Sequence, residues 1–394
     1  MMNSVILKKG RETSLLRHHP WVFSGAIQEV KGNPASGETV DVLSFKGEFL
    51  GRGSYSPKSQ MTVRILSFDK KETIDENFFY EKIKSAKERK EFLLDEFSNS
   101  CRLIFGESDG LPGLIIDKYD KILVCQFLSA GAEYWKEIIV KQLVEIFQPV
   151  CIYERSDADV RKKEGLESVK QNLYGELQKE IIEITENGCK YFVDVVNGHK
   201  TGFYLDQKAN RKLLGSFAKN KTVLNCFSYT GGFSVYALKN GANHVTNIDS
   251  SSNVLKLSLK NIELNNLDTS KVENVQGNVF TILREYLNEG KKFDIIILDP
   301  PKLVESAGQL TKGARAYKDL NMIAFKLLNK NGLLFTFSCS GLVSPELFQK
   351  IVFDASYDAK VNAQIIGRMS QSPDHGISLN FPEAQYLKGL ICIV

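Results

Sequence analysis

The sequence lacks several features that would place it in a common class. It contains no run of about 18 apolar residues, which a membrane-spanning helix requires, so no membrane span is expected. The N-terminal segment MMNSVILKKGRETSLLRHHP has neither a long apolar core nor a small-residue cleavage site. We therefore expect no signal peptide and a cytoplasmic protein. Internal repeats and low-complexity linkers are also missing.

The cysteines are odd in number and scattered. No two cysteines form a CxxC pair, which argues against a zinc site and against a disulfide framework. We therefore expect reduced cysteines and no metal. The seven are Cys101, Cys125, Cys151, Cys189, Cys226, Cys339 and Cys392.

The composition is that of an ordinary globular protein. The chain has 394 residues, which exceeds a single core, so two or three domains are expected. Apolar residues make up 43% and charged residues 25% of the sequence. A net charge of +4 permits a nucleic-acid partner without requiring one.

Pattern changes along the chain predict three domains, at 1–72, 73–188 and 189–394. The first alternates apolar and polar positions and is broken by glycines, as a small β domain would be. The second mixes strands with helices, including one over DENFFYEKIKSAKERKEFLL that Asp75 caps and one from about Glu133 to Phe147. The middle domain is therefore predicted to be α/β.

The third domain alternates strand-length apolar runs with helical segments. The runs are TVLNCFSYTGG, HVTNID, FDIIILDPP and GLLFTFSCSG, and the clearest helix is SNVLKLSLKNIELNN. This rhythm predicts a parallel sheet covered on both faces, with a last strand in AQYLKGLICIV. Ligands bind such sheets at the carboxyl ends of the strands.

A cofactor site is predicted at three of these strand ends. The first strand runs into a glycine turn, the second ends at Asp249 and the third ends near Asn278. An acid at the end of the second strand typically binds ribose hydroxyls, and the missing GxGxxG favours S-adenosylmethionine over NAD. A tight turn, a helix cap and a turn residue remain the structural alternatives. The candidates in the glycine turn are Phe227, Tyr229, Thr230 and Gly231.

The candidate catalytic residues lie at the next two strand ends. LDPPK presents Asp299 on a backbone stiffened by two prolines, and FSCSG presents Cys339. Lys302 stands where aminomethyltransferases place an aromatic residue, which counts against methylation of an exocyclic amine. A thiolate that adds to C6 of a pyrimidine makes C5 nucleophilic, and Asp299 could bind the N3/N4 edge of cytosine. The structural alternative for Cys339 is a small core residue.

The whole chain resembles the bacterial 23S rRNA large subunit methyltransferase I family, which makes 5-methylcytosine. The similar segments are HPWVFSGAI, GESDGLPGLIIDKY, NGHKTGFYLDQKANR, CFSYTGGFSVYAL, DPPK, FSCSG and DHGISLNFPEAQYLKG. The resemblance implies an α/β fold in which a PUA-like β-barrel and a middle α/β domain precede a Rossmann-like class I methyltransferase domain. It also implies S-adenosylmethionine as cofactor and Cys339 as the single catalytic cysteine.

The resemblance suggests roles for residues outside the strand ends. Gln207, with Asp206, would contact the methionine end of the cofactor, and Glu383 would remove the C5 proton. A helix start and a solvated loop carboxylate are the respective alternatives. Asn225 and Asn278 stand where the family commonly has acidic residues, and an amide there can still contact adenine.

RNA binding is expected from basic residues, although charge runs are usually solvated faces. The partner implied is 23S rRNA or an assembling large subunit, and the sequence leaves monomer and homodimer open. Other functions left open are 5-methyluridine formation, methylation of an amine or small molecule, and non-catalytic rRNA binding in assembly. The predicted RNA-binding residues are Arg17, Arg52, Lys58, Arg64 and Lys302.

Overall fold

The computed structural model describes residues 3–94 and 97–394 and divides the chain into two compact units. The first unit comprises Met1–Ile184, Val193–Leu205 and Asp374–Ala384. The second comprises Thr185–Phe192, Asp206–Pro373 and Gln385–Val394. Across the described ranges, no helix is both long and apolar enough to cross a membrane. The division into three domains at 72/73 and 188/189 stays a prediction.

The first unit begins with a six-stranded sheet in the order β2-β6-β5-β4-β1-β3. Its alternating strands bury one face in a small core that includes Val5, Val40 and Val63. A short helix, α1 (Thr13–Leu16), lies between the first two strands. The strands are β1 (Ser4–Leu7), β2 (Trp21–Phe23), β3 (Ile27–Lys31), β4 (Thr39–Leu43), β5 (Phe49–Tyr55) and β6 (Met61–Ser67).

The middle part of the same unit is a five-stranded sheet in the order β11-β10-β9-β8-β7, with helices. Helix α2 starts where predicted, because the Asp75 carboxylate accepts a hydrogen bond from the Phe78 amide at 3.0 Å. The strands are β7 (Ser100–Phe105), β8 (Leu114–Tyr119), β9 (Ile122–Phe127), β10 (Cys151–Ser156) and β11 (Val169–Gly175). The helices are α2 (Glu76–Lys90), α3 (Ala130–Tyr134), α4 (Lys136–Phe147) and α5 (Val160–Glu164).

The helix predicted from Glu133 to Phe147 is two helices. Helix α3 begins at Ala130, where the Ser129 hydroxyl caps it, and α4 begins after Trp135. Trp135 has φ −92° and ψ 7°, which is not helical geometry. The apolar period continues across this break, which is why it was not visible in the sequence. The hairpin β12 (Ile181–Glu186) and β13 (Cys189–Asp194) follows.

The second unit is a seven-stranded sheet in the order β16-β15-β14-β17-β18-β20-β19. Helices between consecutive strands make β14 to β18 parallel, as the sequence predicts. The strands are β14 (Thr222–Cys226), β15 (His244–Asp249), β16 (Val272–Gln276), β17 (Phe293–Leu298), β18 (Leu328–Ser338), β19 (Gln364–Ser370) and β20 (Lys388–Ile393). The helices are α6 (Lys208–Gly215), α7 (Gly232–Lys239), α8 (Ser252–Leu264), α9 (Val279–Asn288), α10 (Leu310–Leu327) and α11 (Pro345–Ala359).

Strand β20 departs from the predicted parallel sheet. No crossover helix separates β19 from β20, so the chain returns antiparallel, and β20 pairs antiparallel with β18 as well. Strand β20 therefore begins at the edge of the sheet where β18 ends. The order with an antiparallel strand inserted next to the edge is the Rossmann-like arrangement expected for the third domain.

Candidate active site at the carboxyl ends of the strands

The parallel strands of the second unit end side by side. Cys226 at the end of β14 is in register with Ile248 of β15 and with Leu298 at the end of β17. Leu298 is in turn in register with Thr336, near the end of β18. The segments that follow these strands therefore project from one edge of the sheet, which is where an open α/β sheet binds ligands.

The glycine turn after β14 has an unusual backbone. Phe227, Tyr229 and Gly231 all have positive φ, at 58°, 48° and 74°. Such angles are costly for residues with a side chain and persist where tertiary contacts enforce them, commonly at functional sites. At Gly231 a Cβ atom would lie 2.1 Å from Ser258 Oγ, so only glycine fits. This turn lets the backbone approach a ligand closely.

Asp249 supports the glycine turn from the end of β15. Its Oδ2 accepts a hydrogen bond from the Tyr229 amide at 3.0 Å, and its Oδ1 accepts one from the Ser251 amide at 3.0 Å. The carboxylate is half-buried beside the turn. A carboxylate oxygen can accept more than one hydrogen bond, so Asp249 retains capacity for ribose hydroxyls while it fixes the turn.

Asn278, at the third strand end, and Asn225, in the first strand, both make local structural contacts. Asn278 is exposed and caps helix α9, because its Oδ1 accepts a hydrogen bond from the Phe280 amide at 2.9 Å. Asn225 is buried in β14 and donates to Ser234 Oγ and to Asn247 Oδ1. The role of Asn278 in adenine binding stays a prediction, whereas Asn225 belongs to a buried amide network.

Two of the predicted site residues, Gln207 and Asp299, are far apart in the sequence but in contact in the structure. Gln207 Nε2 donates to Asp299 Oδ2 at 2.9 Å. Asn210 fixes this orientation of the Gln207 amide, because its Nδ2 donates to Gln207 Oε1 at 2.6 Å. Next to Gln207, the buried Asp206 accepts a hydrogen bond from the Tyr386 hydroxyl at 2.5 Å. The segment before α6 thus lies against the DPP segment.

Cys339 lies between two serines whose hydroxyls are anchored inward. Ser338 Oγ donates to the Tyr317 hydroxyl at 3.0 Å, and Ser340 Oγ lies 3.2 Å from the same hydroxyl. Ser340 Oγ also accepts a hydrogen bond from the Val304 amide at 3.2 Å. Both serines are fully buried, whereas Cys339 between them is half-buried. The serines therefore fix the turn that carries the thiol.

Cys339 differs from the other six cysteines, all of which are buried. Burial raises the pKa of the Cys101 and Cys392 thiols to about 12 and raises that of Cys125 well above its usual value. Only the Cys339 thiol is partly accessible, and its Sγ lies 3.9 Å from the carbonyl oxygen of Pro300 in the DPP segment. Cys339 is therefore the one cysteine that is not sealed in a core, and its role as the nucleophile stays a prediction.

Sequence reasoning missed Lys388, the first residue of β20. Its side chain is buried, and its Nζ donates to the carbonyl oxygens of Ser340 at 2.7 Å and Val343 at 2.8 Å. Burial lowers the pKa of Lys388 to about 8. The sequence feature that could have indicated this residue is a lysine at the start of the apolar run KGLICIV. Its position beside Cys339, however, depends on strand pairing.

Glu383 lies in the first unit, in the segment Asp374–Ala384. Its Oε1 is 3.2 Å from Nε2 of His19, and its side chain is 45% exposed. An exposed carboxylate of this kind is available for proton transfer. Its role as the base that removes the C5 proton stays a prediction.

The predicted RNA-binding residues differ in accessibility. Arg17, Lys58 and Lys302 are exposed. Arg52 is half-buried, and its Nε donates to Asp41 Oδ1 at 2.7 Å. Arg64 is a correction to the prediction, because its side chain is buried in a bidentate ion pair with Glu164, with both distances at 2.9 Å. A buried, paired guanidinium does not reach phosphates, so Arg64 is not proposed as a phosphate contact.

Comparisons with known proteins identify relatives over the whole chain. The sequence matches a family profile described as a PUA-like domain over residues 5–68 and one described as an S-adenosylmethionine-dependent methyltransferase over residues 159–372. It is 51% identical over 393 residues to "Ribosomal RNA large subunit methyltransferase I" of Aeromonas hydrophila, covering 99% of each chain. It is 53% identical over 390 residues to the protein of that name in Shewanella frigidimarina, covering 98% of each chain.

A solved structure has the same overall fold. A candidate S-adenosylmethionine-dependent methyltransferase from Streptococcus mutans is 25% identical to this chain, with a TM-score of 0.86 over 100% of both chains.

Proposed function

Because the chain belongs to the ribosomal RNA large subunit methyltransferase I family, we propose that it methylates a base of large-subunit rRNA. S-adenosylmethionine is the methyl donor of this enzyme. The base we propose is a cytosine, and the product is 5-methylcytosine in 23S rRNA. The observation that carries the choice of chemistry is the half-buried Cys339 thiol beside the DPP segment.

The strand ends fit S-adenosylmethionine. In the described part of the chain, the buried Ser228 and Thr230 hydroxyl oxygens in the glycine turn have no hydrogen-bond partner. Gly231 brings the turn against Ser258 of α8, where a Cβ atom would lie 2.1 Å from the Ser258 hydroxyl oxygen. Asp249 would hold the ribose, the hydroxyls would meet the amino acid end together with Gln207, and Phe227, Tyr229 and Asn278 would lie nearest the adenine. When bound, this cofactor supplies an electrophilic methyl group on a sulfonium.

Cys339 supplies the nucleophile that a pyrimidine C5 carbon needs. The C5 carbon of cytosine is too weakly nucleophilic to accept a methyl group directly. Addition of the Cys339 thiolate to C6 forms a C–S bond and turns the ring into an enamine, whose C5 accepts the methyl group. Loss of the C5 proton then expels the thiolate and restores the aromatic ring.

Asp299 orients the ring for this addition. Asp299 follows β17, adjacent to the strand that carries Cys339, and Pro300 and Pro301 make its backbone stiff. Gln207 holds one of its carboxylate oxygens. A carboxylate oxygen can accept more than one hydrogen bond, so Asp299 would also accept one from the N4 amino group at the N3/N4 edge of cytosine. We propose Glu383 as the acceptor of the C5 proton.

Exposed basic residues would bind the rRNA backbone. We propose Arg17 and Lys58 in the first unit and Lys302 in the second as phosphate contacts, with a smaller contribution from the paired Arg52. Such contacts position the substrate without reading its sequence. A base within structured RNA must leave its stack before a thiol can reach C6.

Substitution of Cys339 tests the chemistry. Cys339→Ala and Cys339→Ser should abolish methyl transfer to rRNA while S-adenosylmethionine binding persists, because the glycine turn and Asp249 remain. Cys392→Ala is the matched control, since Cys392 is a buried cysteine of the same unit, and it should retain methyl transfer. Undiminished turnover by Cys339→Ser would contradict the proposal.

Trapping experiments identify the base and the attacking residue. RNA that carries 5-fluorocytosine at the target should form a denaturation-resistant adduct, because fluorine cannot leave as a proton. Mass spectrometry should locate the adduct on Cys339, and bisulfite sequencing of cellular rRNA should show one cytosine that depends on this gene. If the product is 5-methyluridine, the nucleophile stands but the choice of cytosine is wrong.

A further inference from the structure

Strand β20 brings Lys388 to the turn that carries Cys339. Because β20 runs antiparallel to β18, its first residue, Lys388, is in register with Ser338, the last residue of β18. Ser338 immediately precedes Cys339 in the chain. Lys388 is only 7% exposed, which is unusual for a lysine. A lysine is buried in this way where its ammonium has specific partners.

The partners of Lys388 are main-chain carbonyls of the Cys339 turn. Its Nζ donates to Ser340 O at 2.7 Å and to Val343 O at 2.8 Å. Both residues follow Cys339, and the hydroxyl of Ser340 is held separately by Tyr317. The turn is thus fixed through its side chains by α10 and through its carbonyls by Lys388.

The ammonium also interacts with the charge of the thiolate. Burial lowers the pKa of Lys388, a Cys339 thiolate raises it, and Lys302 lowers it, with a net value of about 8. Tyr317 faces the same turn, and burial raises the pKa of its hydroxyl, with the Cys339 thiolate adding to the rise. With a pKa of about 8, Lys388 is mostly protonated at neutral pH. The attraction between the ammonium and the thiolate acts equally on both groups.

We propose that Lys388 is a positioning residue for Cys339: its ammonium holds the turn from Ser340 to Val343, and its positive charge favours the thiolate form of the cysteine. The proposal rests on the proposed function, in which that thiolate adds to C6. The thiol proton leaves to solvent, and Lys388 keeps its own. This supplies the activation that a thiol needs, since an ordinary cysteine is only a few per cent thiolate at neutral pH.

The test measures the reactivity of Cys339 across pH. Lys388→Gln keeps N–H donors for the two carbonyls and removes the charge, Lys388→Met removes both, and Lys388→Arg keeps the charge. The rate of Cys339 alkylation by iodoacetamide is followed by peptide mass spectrometry from pH 6 to 10. Lys388→Gln and Lys388→Met should react about tenfold more slowly at pH 7 and approach the wild-type rate near pH 10. Lys388→Arg should react at the wild-type rate at pH 7, where both side chains carry the charge.

Lys292→Gln is the matched control. Lys292 Nζ also donates to two main-chain carbonyls, Lys326 O at 2.7 Å and Leu328 O at 3.4 Å, at the opposite end of β17. This variant should leave the alkylation profile of Cys339 unchanged. If Lys388 only supported the turn, Lys388→Gln would show the wild-type pH profile of Cys339 alkylation, and that result would overturn the proposal.

Two further measurements distinguish an effect of the Lys388 charge from a loss of folding and from a failure of the proposed function. S-adenosylmethionine binding and melting temperature identify any variant that does not fold. If Lys388→Gln fails this check, Lys388→Arg carries the test, and a shift of its alkylation profile to higher pH overturns the proposal. Alkylation requires neither RNA nor methyl transfer. A Cys339→Ala enzyme that still methylates rRNA would therefore refute the proposed function, while the alkylation profile would still decide the role of Lys388.

Discussion

Asp249 shows how one side chain combines a structural and a binding role. Its two oxygens accept main-chain hydrogen bonds from Tyr229 and Ser251, which fixes the glycine turn next to the predicted ribose site. Asp249→Ala should remove both the turn contacts and the ribose contacts. We expect a loss of at least about 1.5–3 kcal/mol in S-adenosylmethionine binding, measured by calorimetry.

Asp268→Ala is the control for this substitution. The Asp268 carboxylate likewise accepts a main-chain hydrogen bond two residues on, from Ser270, but in an exposed turn after α8. The variant should bind the cofactor like the wild type. Equal cofactor affinity in wild type and Asp249→Ala would remove Asp249 from the site.

Lys388 also makes stability depend on pH. Its folded pKa of about 8 lies below the value of about 10.4 for an unfolded lysine, so the unfolded chain binds more protons between these pH values. The buried charge therefore costs about 3 kcal/mol below pH 8, and this cost disappears as pH rises to about 10.4. Relative to Lys388→Gln, the melting temperature of the wild type should rise between pH 7 and 10. A constant difference in melting temperature between the two proteins across this range would show that burial does not lower the pKa of Lys388.

At the scale of elements, the connection from β14 to α7 depends on one glycine. Gly231 combines a φ of 74° with a contact that leaves no room for a Cβ atom. Gly231→Ala should therefore lose both stability and cofactor binding. Gly290 has a similar φ of 69°, and a Cβ atom added there would meet nothing within 4 Å, so Gly290→Ala isolates the backbone penalty of about 1–2 kcal/mol. Calorimetry and thermal unfolding should show a larger loss for Gly231→Ala, and equal losses would mean that Ser258 simply moves aside.

At the scale of the whole molecule, charge should govern the association with rRNA. Arg17 and Lys58 are exposed, whereas Arg64 is committed to Glu164. The double variant Arg17→Ala/Lys58→Ala should bind rRNA more weakly and with a salt dependence smaller by about 1.5 in the slope of log K against log salt. Lys141→Ala, which removes an exposed lysine paired with Glu76, is the control. An unchanged slope in the double variant would show that neither residue contacts phosphate.

Local sequence patterns predicted the elements that local forces determine. The Asp75 cap, the end of β15 at Asp249 and helix α8 in SNVLKLSLKNIELNN were all predicted, because capping and periodicity involve neighbours in the chain. The break at Trp135 and strand β19 were not predicted. The first lies within a continuous apolar period, and the second is an edge strand, QIIGRMS, whose weak alternation gives little signal.

The sequence by itself determined the alternation of strands and helices, the glycine turn, and the order in which Asp249, Asp299 and Cys339 arrive at the strand ends. Only the tertiary structure decided which side chains meet. Arg64 pairs with Glu164 across 100 residues, and Lys388 reaches the carbonyl of Ser340 across 48. Burial and ion pairing depend on which strands pack together. A local sequence pattern does not predict contacts between residues that are far apart in the chain. For the same reason the sequence predicted Arg64 to be a surface cation. The position of Lys388 next to the Cys339 turn follows only from the pairing of β20 with β18.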